Sequence, residues 1–316
     1  VLLHETLRIR SLVVNETDLK HEWLRLIDVA TANGRFELSQ QAIDHLMTTD
    51  LKNDPDTHIS KAKLLWSLGN ENKNKAIDYM KKNVPKTNQN MRMLLGKWLF
   101  EKKDLMKSRE QISKIKLNSA EGYKLWSQIN YDLYQKNHKD VQYLIDSFEA
   151  SLKGVSLSSS DQLIFTLRIL SILFKKGNAK IYQKFREMIK KIPLHVWIIV
   201  LPQIIARANS NNTELRELIA ELIYNIGVEQ PHVVLYSLMV PLKSDLASNS
   251  EGKNRQVVAS TIFDRLSLLF PTLVEQMNTL ANELIRAAVT QWEAWNTQLD
   301  LASKAFITRN NPKEMI

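Results

Sequence analysis

Apolar residues recur along this chain at intervals of three and four, which is the period of a helix with one buried face. The clearest stripes contain Trp23, Leu24, Leu26, Ile27 and Ala30, and then Leu215, Leu218, Ile219, Leu222, Ile223 and Ile226. Glycine and proline each occur only 8 times in 316 residues, too few for a turn-rich sandwich or a doubly wound sheet. The sequence therefore predicts an all-α fold of about sixteen helices with no strand.

Glycines and prolines predict where these helices end and begin. Gly34, Gly69, Gly177 and Gly227 each close an apolar stripe, where a left-handed C-terminal cap favours a residue without a Cβ atom. Pro231 and Pro271 suit the first turn of a helix, where the missing N–H has no intrahelical acceptor to lose. Because the turns between successive helices are short, we predict that the helices form antiparallel pairs.

A weak internal repeat suggests how the pairs are arranged. Ala42-Ile43-Asp44 recurs as Ala76-Ile77-Asp78, 34 residues later, and 34 residues is the period of tetratricopeptide (TPR) helix pairs. Such pairs stack into a solenoid with one continuous core. We therefore predict a TPR/HEAT-like helical-repeat solenoid in which Trp23, Trp66 and Trp98 are buried between the layers.

Several kinds of chemistry find no support in the sequence. There is no cysteine, and the two nearest glycines are 23 residues apart, so no glycine-rich loop can surround a phosphate. The seven histidines are scattered without metal-ligand spacing. No apolar run reaches the roughly 18 residues of a membrane span. The sequence nominates no catalytic residue and no metal ligand, and a start at Val1 without a signal peptide is typical of an internal segment.

The positive charge is concentrated in one part of the chain. Residues 61–116 contain 15 Lys and Arg against 5 Asp and Glu, while the whole chain has a net charge of +9. The rest of the chain is therefore close to neutral. Such a segment is either a solvated face of surface helices or a site for a polyanion, such as an inositol phosphate, nucleic acid or an acidic partner.

Four blocks in sequence order resemble the target-of-rapamycin (TOR) kinases. They are residues 7–47, with RSLVV followed by a Trp-Leu helix and a Gly-Arg turn; Val196–Arg207, which ends in PQIIAR; Leu215–Ser244; and Glu283–Ser303, which begins with ELIR. Together they cover most of the chain. The resemblance implies a FAT domain, a helical solenoid that clamps a protein kinase domain of the phosphatidylinositol 3-kinase-related type.

The resemblance also implies an organisation and a set of partners. Residues 1–155 correspond to TPR-like repeats of the FAT domain, 156–280 to a HEAT-like block, and 281–316 to the first helix of the rapamycin-binding (FRB) module, truncated here. The implied partners are the chain's own kinase domain in cis and the subunits of a dimeric TOR complex, in the cytoplasm or on the surface of the vacuolar or lysosomal membrane. ATP and Mg²⁺ would bind only in the kinase domain, which this chain lacks.

Two ligand sites follow from the same resemblance. Lys63, Arg92 and Lys97 in the basic segment are candidates for an inositol hexakisphosphate site, and nucleic acid is not expected there. Leu299, Ser303, Phe306 and Ile307 correspond to the face that binds rapamycin with an immunophilin, and their spacing places them on one side of a helix. Ile307 replaces an aromatic residue of the family, which predicts weaker drug binding.

Two alternatives remain open on the sequence alone. One is the FAT segment of another phosphatidylinositol 3-kinase-related kinase, from mRNA surveillance or the DNA-damage response. The other is a free-standing helical-repeat adaptor that binds polyanions through the basic segment.

Overall fold

The computed structural model describes residues 2–136, 140–189, 192–208, 210–243, 250–289 and 292–309. Throughout these ranges the regular secondary structure is helical, which confirms the all-α prediction. The chain forms two compact units, Val1–Ser147 and Phe148–Ile316. The helices that begin in the first unit are α1 Leu2–Arg10, α2 Glu16–Ala32, α3 Phe36–Thr48, α4 Pro55–Ser67, α5 Lys73–Asn83, α6 Gln89–Glu101, α7 Leu105–Ser113, α8 Ala120–Lys136 and α9 Val141–Val155.

The second unit contains the end of α9 and nine further helices. They are α10 Gln162–Lys176, α11 Ala179–Ile189, α12 His195–Ile198, α13 Leu201–Ala206, α14 Thr213–Glu229, α15 Pro231–Lys243, α16 Ser250–Leu269, α17 Pro271–Val289 and α18 Trp292–Arg309. Two short 3₁₀ helices, Asp50–Asn53 and Asn70–Asn72, lie in connections of the first unit.

Helix pairs α2/α3, α4/α5 and α6/α7 build the first unit, each closed by a short turn. Gly34 and Gly69 occupy two of these turns with φ of 71° and 118°, as the cap prediction requires. In the third turn Lys103 takes this role with φ of 62°, and nothing in the sequence pattern predicted it. Trp23 and Trp98 are buried, whereas Trp66 is half-buried.

Small residues join the helices of two of these pairs at the same spacing. The Ser39 hydroxyl of α3 lies 3.5 Å from the Ile27 carbonyl oxygen of α2, and the Ser108 hydroxyl of α7 donates to the Gly96 carbonyl of α6 at 2.7 Å. Both contacts join residues 12 apart.

Of the other two predicted glycine caps, Gly177 does follow the last residue of α10 but is not left-handed, and Gly227 is not a cap. Gly177 has φ of −58°, which any residue can adopt. Gly227 lies inside α14, where an added Cβ atom would be 2.7 Å from Leu266 Cδ1 of α16. Glycine is needed there because two helices approach closely, since a larger residue would overlap the neighbouring side chain.

The second unit has its own core and differs from the sequence prediction near its end. Phe185 joins the rings of Phe148 and Trp197, with ring centroids 6.3 Å and 5.7 Å apart. The single long helix predicted for 271–307 is described as two helices, α17 and α18, and Thr290 and Gln291 lie outside the described residues. The predicted loop Ser244–Asn254 lies outside them up to residue 249, and α16 begins at Ser250.

Candidate functional site

The three cations nominated for a polyanion each have a protein partner already. The Lys63 ammonium group of α4 forms an ion pair with Asp28 of α2, with an Nζ–Oδ1 distance of 2.9 Å. Lys97 of α6 forms an ion pair with Glu121 of α8. Both pairs link the first helices of successive pairs, α2 to α4 and α6 to α8. Their cations therefore stabilise the stacking of repeats and are not free counter-charges.

Arg92 at the start of α6 is held differently. Its Nε donates to the backbone carbonyl of Lys86 at 2.6 Å, and its Nη1 donates to Gln111 Oε1 of α7 at 3.3 Å. In the described part of the chain no hydrogen bond or ion pair joins Lys63, Arg92 and Lys97 to one another. All three lie in the first unit, Lys63 on α4 and Arg92 and Lys97 on α6.

An ion-pair contact also joins α2 to the start of α4. The Lys20 ammonium group lies 2.8 Å from both Asp54 Oδ1 and Asp56 Oδ2. Burial lowers the pKa of Lys20, but the hydrogen bonds to the two carboxylates outweigh that effect and raise it overall. Because Asp54 also accepts the backbone N–H groups of Asp56 and Thr57, this contact fixes both the helix start and its position beside α2.

An aromatic contact joins α4 to α6 in the same layer. The indole rings of Trp66 and Trp98 stack with centroids 4.5 Å apart and an interplanar angle of 3°. The Lys73 ammonium group lies 4.8 Å from the Trp66 ring centroid, so it covers the face that Trp98 leaves open. The two tryptophans are 32 residues apart, which gives a second measure of the repeat.

Arg109 of α7 is a structural centre that the sequence patterns did not identify. Its guanidinium group donates to Asn130 Oδ1 of α8 and to Asp146 Oδ2 of α9, both at 2.7 Å. It also lies 5.2 Å from the Trp126 ring centroid and 4.8 Å from that of Tyr143. A planar cation with several donors can satisfy all these partners at once, so Arg109 ties three helices together.

The predicted drug-binding residues lie on the exposed side of α18. Leu299, Phe306 and Ile307 are 51%, 52% and 77% exposed, and Ser303 is exposed beside them. Residues 295–301 of α18 are all exposed as well, so exposure alone does not distinguish this face from the rest of the helix.

Other types of site have little support. Among the described residues, no group of three or more His, Asp and Glu side chains is arranged to hold a metal ion. Within the same ranges, none of the helices combines the length and the apolarity that crossing a bilayer requires. A groove of about 950 Å³ in the second unit is lined mainly by apolar residues such as Ile192, Leu222 and Val228.

Two protein-family models match the chain. The FAT domain matches residues 2–151, and the HEAT repeats of ATR-like serine/threonine-protein kinases match residues 180–286. The first match covers the helix pairs of the first unit, and the second covers α11 through most of α17.

Curated relatives match almost the whole chain. It is 26% identical to the serine/threonine-protein kinase tor1 of Schizosaccharomyces pombe, across 99% of this chain and 16% of the relative. It is 24% identical to the serine/threonine-protein kinase mTor of Drosophila melanogaster, across 98% of this chain and 15% of the relative. The chain thus spans about one sixth of the length of these kinases.

A solved structure shows the same fold. The FAT and kinase domain of CtTel1 matches with a TM-score of 0.57 over 91% of this chain and 24% of that chain, at 13% identity. Two family models, relatives along nearly the full chain and the shared fold agree with one another. The chain therefore belongs to the FAT-domain region of the phosphatidylinositol 3-kinase-related protein kinases, with the target-of-rapamycin kinases among its relatives.

Proposed function

We propose that this chain is the non-catalytic FAT scaffold of a TOR-type serine/threonine kinase, which clamps and regulates its own kinase domain. The observation that carries the proposal is the alignment of TOR kinases over 98–99% of the chain. This match along nearly the whole chain favours a TOR-type parent over a kinase of mRNA surveillance or of the DNA-damage response. It also disfavours a free-standing adaptor.

The architecture suits this role physically. Each helix pair packs on the next through Lys63–Asp28, Lys97–Glu121 and the Trp66–Trp98 stack, so a displacement at one repeat is transmitted to its neighbours. A kinase domain held by such a solenoid is constrained without any catalytic group from the solenoid. ATP and Mg²⁺ would bind in that domain alone.

The proposal includes the setting in which the parent works. A TOR-type parent would act in nutrient and growth signalling, in the cytoplasm or on the surface of the vacuolar or lysosomal membrane. It would dock further complex subunits through the solenoid. The test is to purify the parent kinase from cells before and after nutrient withdrawal and to measure its kinase activity and its bound subunits. Activity that does not respond to nutrients, with no co-purifying subunits, would contradict the TOR assignment.

The exposed face of α18 would form part of a rapamycin site in this parent. Leu299, Phe306 and Ile307 supply apolar surface, and Ser303 is small enough to let a rigid macrolide approach the helix backbone. The observation in favour is their shared exposure on one helix. The proposed partner is the immunophilin–rapamycin complex.

Inositol hexakisphosphate is a second proposed ligand, at Lys63, Arg92 and Lys97. Because Asp28 and Glu121 already pair with two of these cations, the ligand would have to displace both carboxylates. We expect inositol hexakisphosphate to raise the thermal midpoint of the chain by binding the folded state, and Lys63→Glu with Lys97→Glu to remove the shift. A shift that persists in this double variant would place the ligand elsewhere.

A further inference from the structure

A small pocket of the second unit lies between α10 and the segment that contains α13. The residues that line it include Leu167, Ser171, Phe174 and Lys175 of α10, Gln203 of α13, and Arg207 directly after that helix. The pocket has a volume of about 150 Å³. At roughly 30 Å³ per molecule of liquid water, this space would hold about five waters. The groups that line the pocket are therefore all within reach of one small ligand.

Helical spacing and one ring contact set the positions of the polar groups. Ser171 and Lys175 are four residues apart on α10, so they lie on the same side of that helix. The guanidinium carbon of Arg207 lies 5.3 Å from the centroid of the Phe174 ring. This contact holds Arg207 against the last turn of α10, where Lys175 also lies, and the two cations line one pocket.

The polar groups of the pocket lack protein partners. Among the described residues, no carboxylate oxygen lies within 4.0 Å of the charged groups of Lys175 and Arg207. The side chains of Ser171 and Gln203 likewise make no hydrogen bond within the described ranges. Residues 162–213 contain nine Lys and Arg against one acidic residue, Glu187. The sequence around the pocket therefore supplies little neutralising charge.

Structural effects explain each cation separately but not their position in one pocket. Lys175 lies in the last turn of α10, where the helix dipole favours a positive charge. The Phe174 ring favours the guanidinium group of Arg207. Lys184 of α11, in contrast, forms an ion pair with Glu149 of α9. Two like charges that line one small pocket repel each other, and a bound anion would relieve that repulsion.

We propose that this pocket binds one phosphate group, carried by a phosphoserine of a partner protein. Arg207 can donate two parallel N–H groups to two phosphate oxygens, and Lys175 adds a point charge. The Gln203 amide and the Ser171 hydroxyl supply further donors. A phosphate monoester carries a charge of about −1.5 to −2 at pH 7, which two cations balance, whereas a carboxylate would neutralise one of them. Ligand pockets usually exceed about 300 Å³, so the rest of the ligand would lie outside this one.

The surface beside the pocket favours a peptide over a soluble inositol phosphate. Leu163 and Leu167 are 44% and 39% exposed, and Leu167 itself lines the pocket. Leu163 is eight residues before Ser171, which is roughly 12 Å along the helix axis. An extended chain covers that distance in about four residues, so a leucine four positions from the phosphoserine would reach Leu163. The proposal uses no residue of the inositol phosphate site or of the drug face, and it does not depend on the TOR assignment.

The test uses the full chain and a fluorescein-labelled peptide with a central phosphoserine and a leucine four positions away on each side, followed by fluorescence anisotropy. We expect it to bind at least about tenfold more tightly than the same peptide with unmodified serine. Lys175→Gln with Arg207→Gln should reduce that difference to less than about twofold. The matched control, Lys153→Gln with Lys180→Gln, makes the same change in net charge at exposed positions of the second unit that do not line the pocket. It should keep the tenfold difference.

A further variant tests the geometry of the contact. Arg207→Lys keeps the positive charge but removes the two parallel donors, so its loss of affinity should lie between zero and that of the double Gln variant. Circular dichroism checks that all variants fold.

Several outcomes would overturn the proposal. Equal affinities of the phosphorylated and unmodified peptides would show that the pocket does not recognise phosphate. Equal losses in the two Gln pairs would show that only net charge matters. Inorganic phosphate that binds as tightly as the phosphopeptide would assign the pocket to the free ion. Tighter binding of vesicles that contain phosphatidylinositol phosphate, with the same loss in the Lys175 and Arg207 variant, would assign it to a membrane surface.

Discussion

Gly154 provides a case in which the structure reverses the expectation from helix propensity. It lies in the last turn of α9, one residue before the helix ends at Val155, where replacing glycine by alanine ordinarily stabilises a helix by at most about 1 kcal/mol. An added Cβ atom would, however, lie 2.4, 2.5 and 2.8 Å from three ring atoms of Phe165 in α10. Phe165 is 1% exposed, so its rigid ring has little room to move.

The cost of overpacking and the gain in helix propensity can be compared in size. Overpacking of a filled core costs about 1–3 kcal/mol, which exceeds the gain in helix propensity. We therefore expect Gly154→Ala to destabilise the chain by about 1 kcal/mol, or to lower the thermal midpoint by roughly 2–4 °C. Far-UV circular dichroism during thermal and urea unfolding measures both quantities.

A double-mutant cycle isolates the contact. In a Phe165→Leu background the ring is gone, and Gly154→Ala should become neutral or stabilising, with a coupling energy of about 1–2 kcal/mol. If Gly154→Ala stabilised the parent chain, or had the same effect in both backgrounds, the close contact between α9 and α10 would not be as described.

Three further predictions concern other parts of the chain. Arg109→Lys should destabilise the chain by about 1–3 kcal/mol in urea unfolding, because lysine cannot keep both hydrogen bonds and both ring contacts; unchanged stability would refute its role. Burial, with a smaller contribution from Lys61, lowers the pKa of His58 below its ordinary 6.5. The unfolded state then binds the proton more readily, so the free energy of unfolding should fall as pH drops below that value, and His58→Gln should reduce this dependence. In the parent kinase, Ser303→Arg should weaken immunophilin–rapamycin binding at least tenfold. Ile307→Phe should strengthen the binding free energy by about 0.5–1.5 kcal/mol. If titration gave wild-type affinity for the arginine variant, Ser303 would not face the drug.

The sequence predicted the helical class and the pairing because the periodic apolar stripe is a local property. Gly34 and Gly69 were also predictable, since a turn that needs positive φ restricts the choice of residue. Gly227 was not, because its close packing against Leu266 depends on a residue far away in the chain. Gly177 packs against Tyr182 at the start of the next helix, a contact that the apolar stripe alone does not predict. Glycine in a sequence does not reveal which of the two constraints selected it.

The candidate sites also depend on contacts between residues that are far apart in the sequence. Charge counting identified the basic segment, but only the structure shows that Lys63 and Lys97 pair with Asp28 and Glu121. Those carboxylates lie 35 and 24 residues away in sequence. Arg109 was missed because its partners come from two other helices, α8 and α9, and no local pattern encodes such a set.

The central claim is that this chain scaffolds a kinase domain carried by the same polypeptide. The most direct measurement is cross-linking mass spectrometry of the purified full-length parent with a lysine-reactive reagent. We expect cross-links between lysines of this chain and a serine/threonine kinase domain of the same polypeptide. A parent without a kinase domain, or with one that forms no cross-link to this chain, would contradict the account.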